Sequence, residues 1–274
     1  MKRFDDYLIV TDLDGTLYKK QTDIPQVNID AIARFAALGG KFAVATGRGI
    51  EAARFITEAI RIPDPIIVNN GHAIYDYNNE KLVYNVYLPD RIKDFTFEIM
   101  QKFPSVGVEV YSDRELYVIN DNHVVTEHLD YEKVAREHIP FEQACKIKWS
   151  KLLFADDEEV LLKTIDYAKQ LENGEYISDN FYTIRTSRLF LEGVCKNINK
   201  GTAVHELARL LNVPSEHIFT IGNFYNDIEL VQCAHGAWVK DSPTELYDMA
   251  EYITEKICAN GAFAEYVDYI MSKK

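Results

Sequence analysis

The chain has 274 residues, enough for one large domain or two modest ones with real cores. Hydrophobic residues make up 47% and charged residues 27%, ordinary proportions for a globular protein, and the formal net charge is −13. That acidic balance argues against nucleic acid or an anionic membrane as a general partner. A small anionic substrate, which needs only a local cationic pocket, is still allowed.

Residues 7–11 are apolar and β-branched and read as a strand that ends at Asp12-Leu13-Asp14-Gly15-Thr16. Pro25 opens a helix in which Val27, Ile29, Ile32, Ala33 and Phe35 follow a 3.6 period, and Gly39-Gly40 closes it. A second strand (41–45), a helix (50–60) and a third strand (65–68) follow, the last ending at Asn69-Asn70-Gly71. Residues 73–76 and 82–87, joined by a turn at Asn78-Asn79, read as a hairpin.

The middle of the chain reads differently. A helix (90–103), a strand pair (106–111 and 115–119), another helical stretch, a strand (147–154) and a long helix (158–171) lead to two short strands near Tyr176 and Tyr182. Alternation then resumes with strands at 189–191, 217–221 and 236–239 and helices at 200–211, 226–233, 243–250 and 262–271. The pattern predicts an α/β protein with a doubly wound, mostly parallel sheet built from residues 1–87 and 189–274. Residues 88–188 form an inserted α+β domain in this reading.

The four cysteines (Cys145, Cys195, Cys233, Cys258) form no C-x-x-C pair, so reduced thiols are expected and neither a disulfide framework nor a zinc site is. The segment MKRFDDY lacks a secretion signal and no apolar stretch reaches transmembrane length, which makes a cytoplasmic protein the expectation.

The strand ends carry the chemistry. Side chains alternate along a strand, so Asp12 and Asp14 are expected to point the same way, and two like charges held together call for a metal ion or a proton. Thr46-Gly47-Arg48 places a hydroxyl and open backbone before a helix N-terminus, which suits an anion. Lys200 starts a helix, where the macrodipole disfavours a cation unless it serves a negative partner. Gly222-Asn223-Phe224-Tyr225-Asn226-Asp227 follows a strand and offers three oxygen-bearing side chains. Each segment alone also has a plain reading: a hairpin turn at Asp14-Gly15, a strand-to-helix turn with a surface arginine at 46–48, a solvated lysine at Lys200, and a turn with Asn226 or Asp227 as a helix N-cap. Gathered at one edge of one sheet, hard oxygen ligands suit Mg²⁺ and the hydroxyl and lysine suit a phosphoryl group, so the set reads as a phosphoryl-transfer site.

These residues give the chain a clear likeness. It resembles a haloacid dehalogenase (HAD) superfamily phosphatase of the Cof type, through DLDGT at 12–16, ATGR at 45–48, NNGH at 69–72, NKG at 199–201 and GNFYND at 222–227. The insertion after the third strand resembles that family's type 2 cap. The resemblance implies Asp12 as nucleophile, Asp14 as general acid and base, and Thr46 and Lys200 as holders of the phosphoryl oxygens. It implies Mg²⁺ held by Asp12, the Asp14 carbonyl and Asn223, with Asn226 and Asp227 in or beside the ligand set. Gly47, Arg48, Asn70 and Gly71 would line the substrate, while His72 packs beneath it.

The implied substrate is a small phosphorylated metabolite such as a sugar phosphate, with neither nucleic acid nor membrane as partner, and the protein a monomer or dimer. The cap would close by hinging near Leu88 and Arg188, with Tyr111, Arg114, Tyr182 and Arg185 as candidate substrate contacts. One departure stands out: the family's fourth motif usually begins Gly-Asp, and here it begins Gly-Asn at Asn223, which implies weaker metal binding. A phosphomutase, or a non-catalytic binder of a phosphorylated ligand, are the alternative readings.

Overall fold

A computed structural model describes residues 3–19, 23–60 and 62–273. The chain divides into two compact units, one of Met1–Arg48, Ala53–Tyr84 and Asn199–Lys274, the other of Gly49–Ala52 and Asn85–Ile198.

The first unit starts with β1 (Leu8–Thr11), α1 (Gln26–Ala37), β2 (Lys41–Val44), α2 (Ile50–Ala59), β3 (Ile66–Val68), β4 (Ala73–Asp76) and β5 (Lys81–Asn85). The predicted stripe of α1 is only partly right. Ala31, Ile32 and Phe35 are buried, but Val27 is 50% exposed and Asn28 takes the inner position. Its amide donates to Leu17 O and accepts from Ala264 N, so the buried polar group there is hydrogen-bonded.

The second unit holds α3 (Arg91–Lys102), β6 (Gly107–Ser112), β7 (Glu115–Asn120), α4 (His123–Glu132), β8 (Glu137–His138), α5 (Phe141–Ala144), β9 (Lys151–Ala155), α6 (Glu158–Asn173), β10 (Phe181–Arg185) and β11 (Phe190–Cys195). Its sheet runs β10-β11-β9-β6-β7-β8, antiparallel but for the short parallel pair β7–β8. Phe95 and Ile99 of α3 and Leu161 of α6 pack with Val108, Phe154 and Phe181 of the strands, while α4 covers Leu116 and Val118.

Three expectations change here. The strand foreseen at 189–191 is β11, which pairs with β9 and β10 instead of joining the parallel sheet. An apolar run announces a strand but not its neighbour, and here Leu191 and Cys195 find their apolar surroundings in the second unit. The second boundary between the units therefore lies at Ile198, not Arg188. Tyr176 lies in a turn, its ring edge-on to Phe95 at 5.4 Å, so no strand forms there.

The first unit resumes with α7 (Lys200–Leu211), β12 (Ile218–Gly222), α8 (Ile228–Gln232), β13 (His235–Trp238), β14 (Tyr252–Ile253) and α9 (Ala262–Ser272); a 3-10 helix, Thr244–Met249, stands where the α-helix at 243–250 was expected. Its main sheet has the order β14-β13-β12-β1-β2 with every pairing parallel. β3 touches it through one bridge, Ala45 to Ile67, and then turns into the antiparallel β3-β4-β5 sheet. All four residues of β1 are buried, as befits an interior strand of a sheet covered on both faces. The chain passes from β1 to β2 on one side and later fills the other side with β12. The loops leaving β1 and β12 thus diverge at their carboxyl ends, the position where open α/β sheets form ligand crevices.

Among the described residues, no helix is long and apolar enough to cross a membrane.

Candidate active site

The strand hydrogen bonding of β1 carries on to Asp12, whose N–H donates to Ile221 O at 3.0 Å. The backbone then turns back on itself: Gly15 N donates to Tyr18 O and Leu17 N to Leu13 O. Gly15 has φ +89°, and a Cβ on it would lie 2.3 Å from the Asn223 amide. Only a glycine permits both the turn and this approach of the β12 loop.

Because strand geometry stops at Asp12, the two aspartates do not converge as expected. Asp12 is 5% exposed and faces inward, with Oδ1 accepting from Lys200 Nζ at 2.7 Å and Thr16 Oγ1 lying 3.2 Å from Oδ2. The Asp14 carboxylate, about half exposed, turns instead to Arg48. That guanidinium donates from Nε and from its second terminal nitrogen, one bond to each oxygen and each 3.0 Å long. The Tyr18 hydroxyl adds a third donor, 3.1 Å from Asp14 Oδ1.

Lys200 is 1% exposed and bridges two carboxylates, Asp12 Oδ1 at 2.7 Å and Asp227 Oδ1 at 2.6 Å. Its position in the first turn of α7 is electrostatically poor, and these anions compensate for it. Asn199 caps the same turn, accepting from Thr202 N while the Thr202 hydroxyl accepts from Asn199 N, which fixes where the lysine departs. Burial pulls the ammonium toward its neutral form, but the two carboxylates outweigh it and Lys200 holds its proton above the usual lysine range. Burial and the charge of Asp227 push Asp12 up to about 7 against the pull of Lys200. Asp227, itself fully buried, also accepts from the backbone N–H groups of Asn223 and Phe224.

Thr46 is buried at the end of β2, and its hydroxyl oxygen accepts from Arg48 N at 3.1 Å, so the hydroxyl hydrogen points elsewhere. Asn70 N donates to Thr46 O and Asn69 N to Arg48 O, which ties the NNGH turn to this loop. Asn69, Asn70 and Gly71 all have positive φ (51°, 51° and 99°). Gly71 lies against the backbone of Asn199, where a Cβ would come 2.1 Å from the carbonyl oxygen, so this turn also seats the start of α7. Gly47 packs against the Asn70 side chain. His72 is buried with Nδ1 3.0 Å from Asn69 O, a packed role as foreseen.

The geometry thus brings Asp12, Thr16, Lys200, Asn223 and Asp227 into one hydrogen-bonded cluster, with Asp14 and Arg48 beside it on the same loops. The family model of haloacid dehalogenase-like hydrolases matches residues 9–266, nearly the whole chain. The chain belongs to this family.

The hydrolase is similar along its full length to several members. It is 24% identical over 288 residues to the 5-amino-6-(5-phospho-D-ribitylamino)uracil phosphatase YwtE of Bacillus subtilis, covering 96% of this chain and 98% of that one. A haloacid dehalogenase-like hydrolase of Bacteroides thetaiotaomicron has the same fold at a TM-score of 0.84 and 22% identity, over 96% of this chain and 99% of its own. A sugar phosphatase of HAD subclass IIB follows at a TM-score of 0.80 and 19% identity, over 97% and 99% of the two chains. The family drawn from the five motifs is borne out.

Whether the hydrolase's residues suit Mg²⁺ is answered by Asn223. One end of its amide lies 3.2 Å from Asp14 O, 3.3 Å from Asp227 Oδ2 and 3.1 Å from Thr16 Oγ1. With nitrogen there the amide donates to these acceptors. With oxygen there, oxygens crowd to about 3 Å, the spacing of adjacent ligands around a cation with bonds of about 2.1 Å. In that second orientation the set is all oxygen, with one amide, one carbonyl and carboxylates, which suits Mg²⁺ better than a softer metal. Asn226 is exposed and takes no part in these contacts.

In the second unit of the hydrolase, Tyr111 is buried and donates to Glu109 Oε2 at 3.0 Å. Arg185 binds Glu158 and the carbonyls of Ser187 and Arg188. Tyr182 lies half-buried on β10, and Arg114 lies in the turn between β6 and β7. Sequence reasoning gave no site role to Thr16, which bonds Asp12 and Asn223, and missed Tyr18 altogether as a partner of Asp14. The only signal for Tyr18 is a spacing of four residues from Asp14, which says nothing until Gly15 folds the loop.

Proposed function

We propose that this hydrolase is a Mg²⁺-dependent phosphatase that cleaves a small phosphorylated metabolite, a sugar phosphate or its polyol equivalent, through an aspartyl-phosphate. The observation that carries this reading is the buried Asp12–Lys200–Asp227 bridge at the crevice between β1 and β12. A carboxylate held that deep, 2.7 Å from a fixed ammonium, is a nucleophile placed next to a cation that tolerates a second anion. The similar proteins support the substrate class: one is named as a sugar phosphatase, and another acts on a phosphate carried by a ribityl chain.

Asp12 attacks phosphorus in line, forming an O–P bond as the bond to the substrate oxygen breaks. Asp14 supplies the proton that the departing alkoxide takes up. Lys200 and the Thr46 hydroxyl hold the phosphoryl oxygens as charge moves onto them. Arg48 and the backbone at Gly47 and Asn70-Gly71 flank the same loops and contact the substrate. Asp14, now ionised, takes a proton from water, which attacks the aspartyl-phosphate and releases inorganic phosphate and free Asp12. Asp12, the Asp14 carbonyl, Asn223 and Asp227 would hold Mg²⁺, which supplies charge neutralisation between the anionic nucleophile and the phosphoryl dianion.

The test is phosphate release across a panel of phosphorylated metabolites with and without Mg²⁺. Mg²⁺-stimulated release that disappears in Asp12→Asn is the expected result. Binding of a panel member, seen as thermal stabilisation, with no release at any Mg²⁺ concentration would overturn the reading in favour of a non-catalytic binder.

A further inference from the structure

Asp14 is the only proposed catalytic carboxylate whose side chain stays out of the Asp12–Lys200–Asp227 cluster, and two side chains fix where it lies. The Arg48 guanidinium takes both carboxylate oxygens at 3.0 Å, with its cation about 5.5 Å from the Phe55 ring centroid. The Tyr18 hydroxyl reaches Oδ1 at 3.1 Å from a side chain with no exposed surface, its ring edge-on to Phe55 at 5.7 Å. Phe55 thus backs both partners of Asp14.

The two partners differ in what they tolerate. A guanidinium has donors only, so its fork fits a carboxylate and must give up a bond when that oxygen carries a proton. A phenol hydroxyl both donates and accepts. It can donate to the Asp14 carboxylate and, after a rotation about its own C–O bond, accept from the Asp14 carboxylic acid. At Oδ1 the Tyr18 contact can therefore persist whether that oxygen is bare or protonated, while the Arg48 fork keeps only one of its two bonds to the acid. Burial and the Asp14 charge hold the phenol protonated far above neutral pH, so the hydroxyl itself is not spent as an acid.

We propose that Tyr18 is a positioning residue for Asp14, anchoring its carboxyl through Oδ1 at the place from which it serves the leaving oxygen. The inference rests on the phosphatase reading above and adds a residue to it. Its consequence is selective. A basic leaving oxygen needs a placed acid, whereas a good leaving group departs almost without one.

The experiment measures kcat for 4-nitrophenyl phosphate and phenyl phosphate in wild type, Tyr18→Phe, Asp14→Asn and the double variant. Tyr18→Phe keeps the ring on Phe55 and removes only the hydroxyl. Its kcat on phenyl phosphate should fall about tenfold more than on 4-nitrophenyl phosphate, a share of the 10²–10⁴-fold usual for placed acids. In the Asp14→Asn background the added Tyr18→Phe change should no longer alter the ratio of the two rates, since a residue acting through Asp14 has nothing left to place. An unchanged ratio in Tyr18→Phe, or an equal shift with and without Asp14, overturns the inference and leaves the phosphatase reading standing. Turnover of both probes that survives Asp12→Asn overturns that reading and the inference with it.

Discussion

The Lys200 ammonium stands 2.7 Å from Asp12 Oδ1 although 188 positions separate the two residues. Both side chains are buried, so Asp12 depends on Lys200 for its counter-charge and Lys200 on Asp12 and Asp227 together. Replacing Lys200 by Met leaves two buried carboxylates without a counter-charge. The expected loss is about 3–5 kcal/mol of folding stability, read from denaturant midpoints, together with loss of turnover. Lys200→Met/Asp227→Asn should regain part of the stability and none of the activity.

Asn223 gives a second prediction. Its amide faces Asp14 O, Asp227 Oδ2 and Thr16 Oγ1 at 3.1 to 3.3 Å. In Asn223→Asp a negative oxygen takes that place, which repels Asp227 when metal is absent and binds metal more strongly when it is present. The variant should melt lower than wild type in a chelator and gain more from Mg²⁺, with an affinity higher by on the order of tenfold in calorimetric titration. Equal Mg²⁺ affinity in the two proteins would remove position 223 from the ligand set.

Gly71→Ala tests the turn that seats α7. The substitution combines φ +99° with a Cβ 2.1 Å from Asn199 O, a backbone atom that no rotamer change can move aside. A cost of about 2–4 kcal/mol is expected by chemical denaturation. Because the displaced segment carries Lys200, kcat should fall as well, in contrast to a glycine substitution in an outer loop.

The second unit has its own pH dependence. His128 lies 2.9 Å from Glu109 and 3.6 Å from Glu132, with its side chain 13% exposed. Burial disfavours its charge, but hydrogen bonds to the two glutamates overcome that and lift it from 6.5 to about 9. A raised value means that the folded protein holds the proton more tightly than the unfolded chain does. The stabilisation is therefore complete below 6.5 and is lost as pH rises through about 9. Urea midpoints compared at about pH 6 and about pH 9 should show a loss of about 3 kcal/mol that is absent in His128→Gln.

Much of the site was legible because Asp12, Thr46, Lys200 and Asp227 each sit where a strand ends or a helix begins, and those junctions are marked by glycines and polar residues. A junction in a parallel α/β sheet has only one edge to face, so naming the junctions came close to naming the crevice. What stayed hidden depended on partners. The sequence around β11 shows a strand, but its neighbours lie in β9 and β10, and nothing local records that. Asn28 reads as the polar interruption of an apolar stripe until Leu17 and Ala264 supply its hydrogen bonds. The divergence of Asp14 from Asp12 follows from a turn that begins one residue earlier than strand alternation would allow.

The register of the parallel sheet also dictates an order of assembly. β1 needs β12 as much as β2, with Leu8 opposite both Lys41 and Ile218, so β1 waits for a strand translated long after it. Residues 85–198 form a continuous stretch whose strands pair only among themselves. During synthesis that stretch closes its own sheet while the amino-terminal strands are still without a neighbour on one side. Until β12 leaves the ribosome, an apolar strand of the nascent chain has an open edge, and the length of the insertion sets how long it stays open.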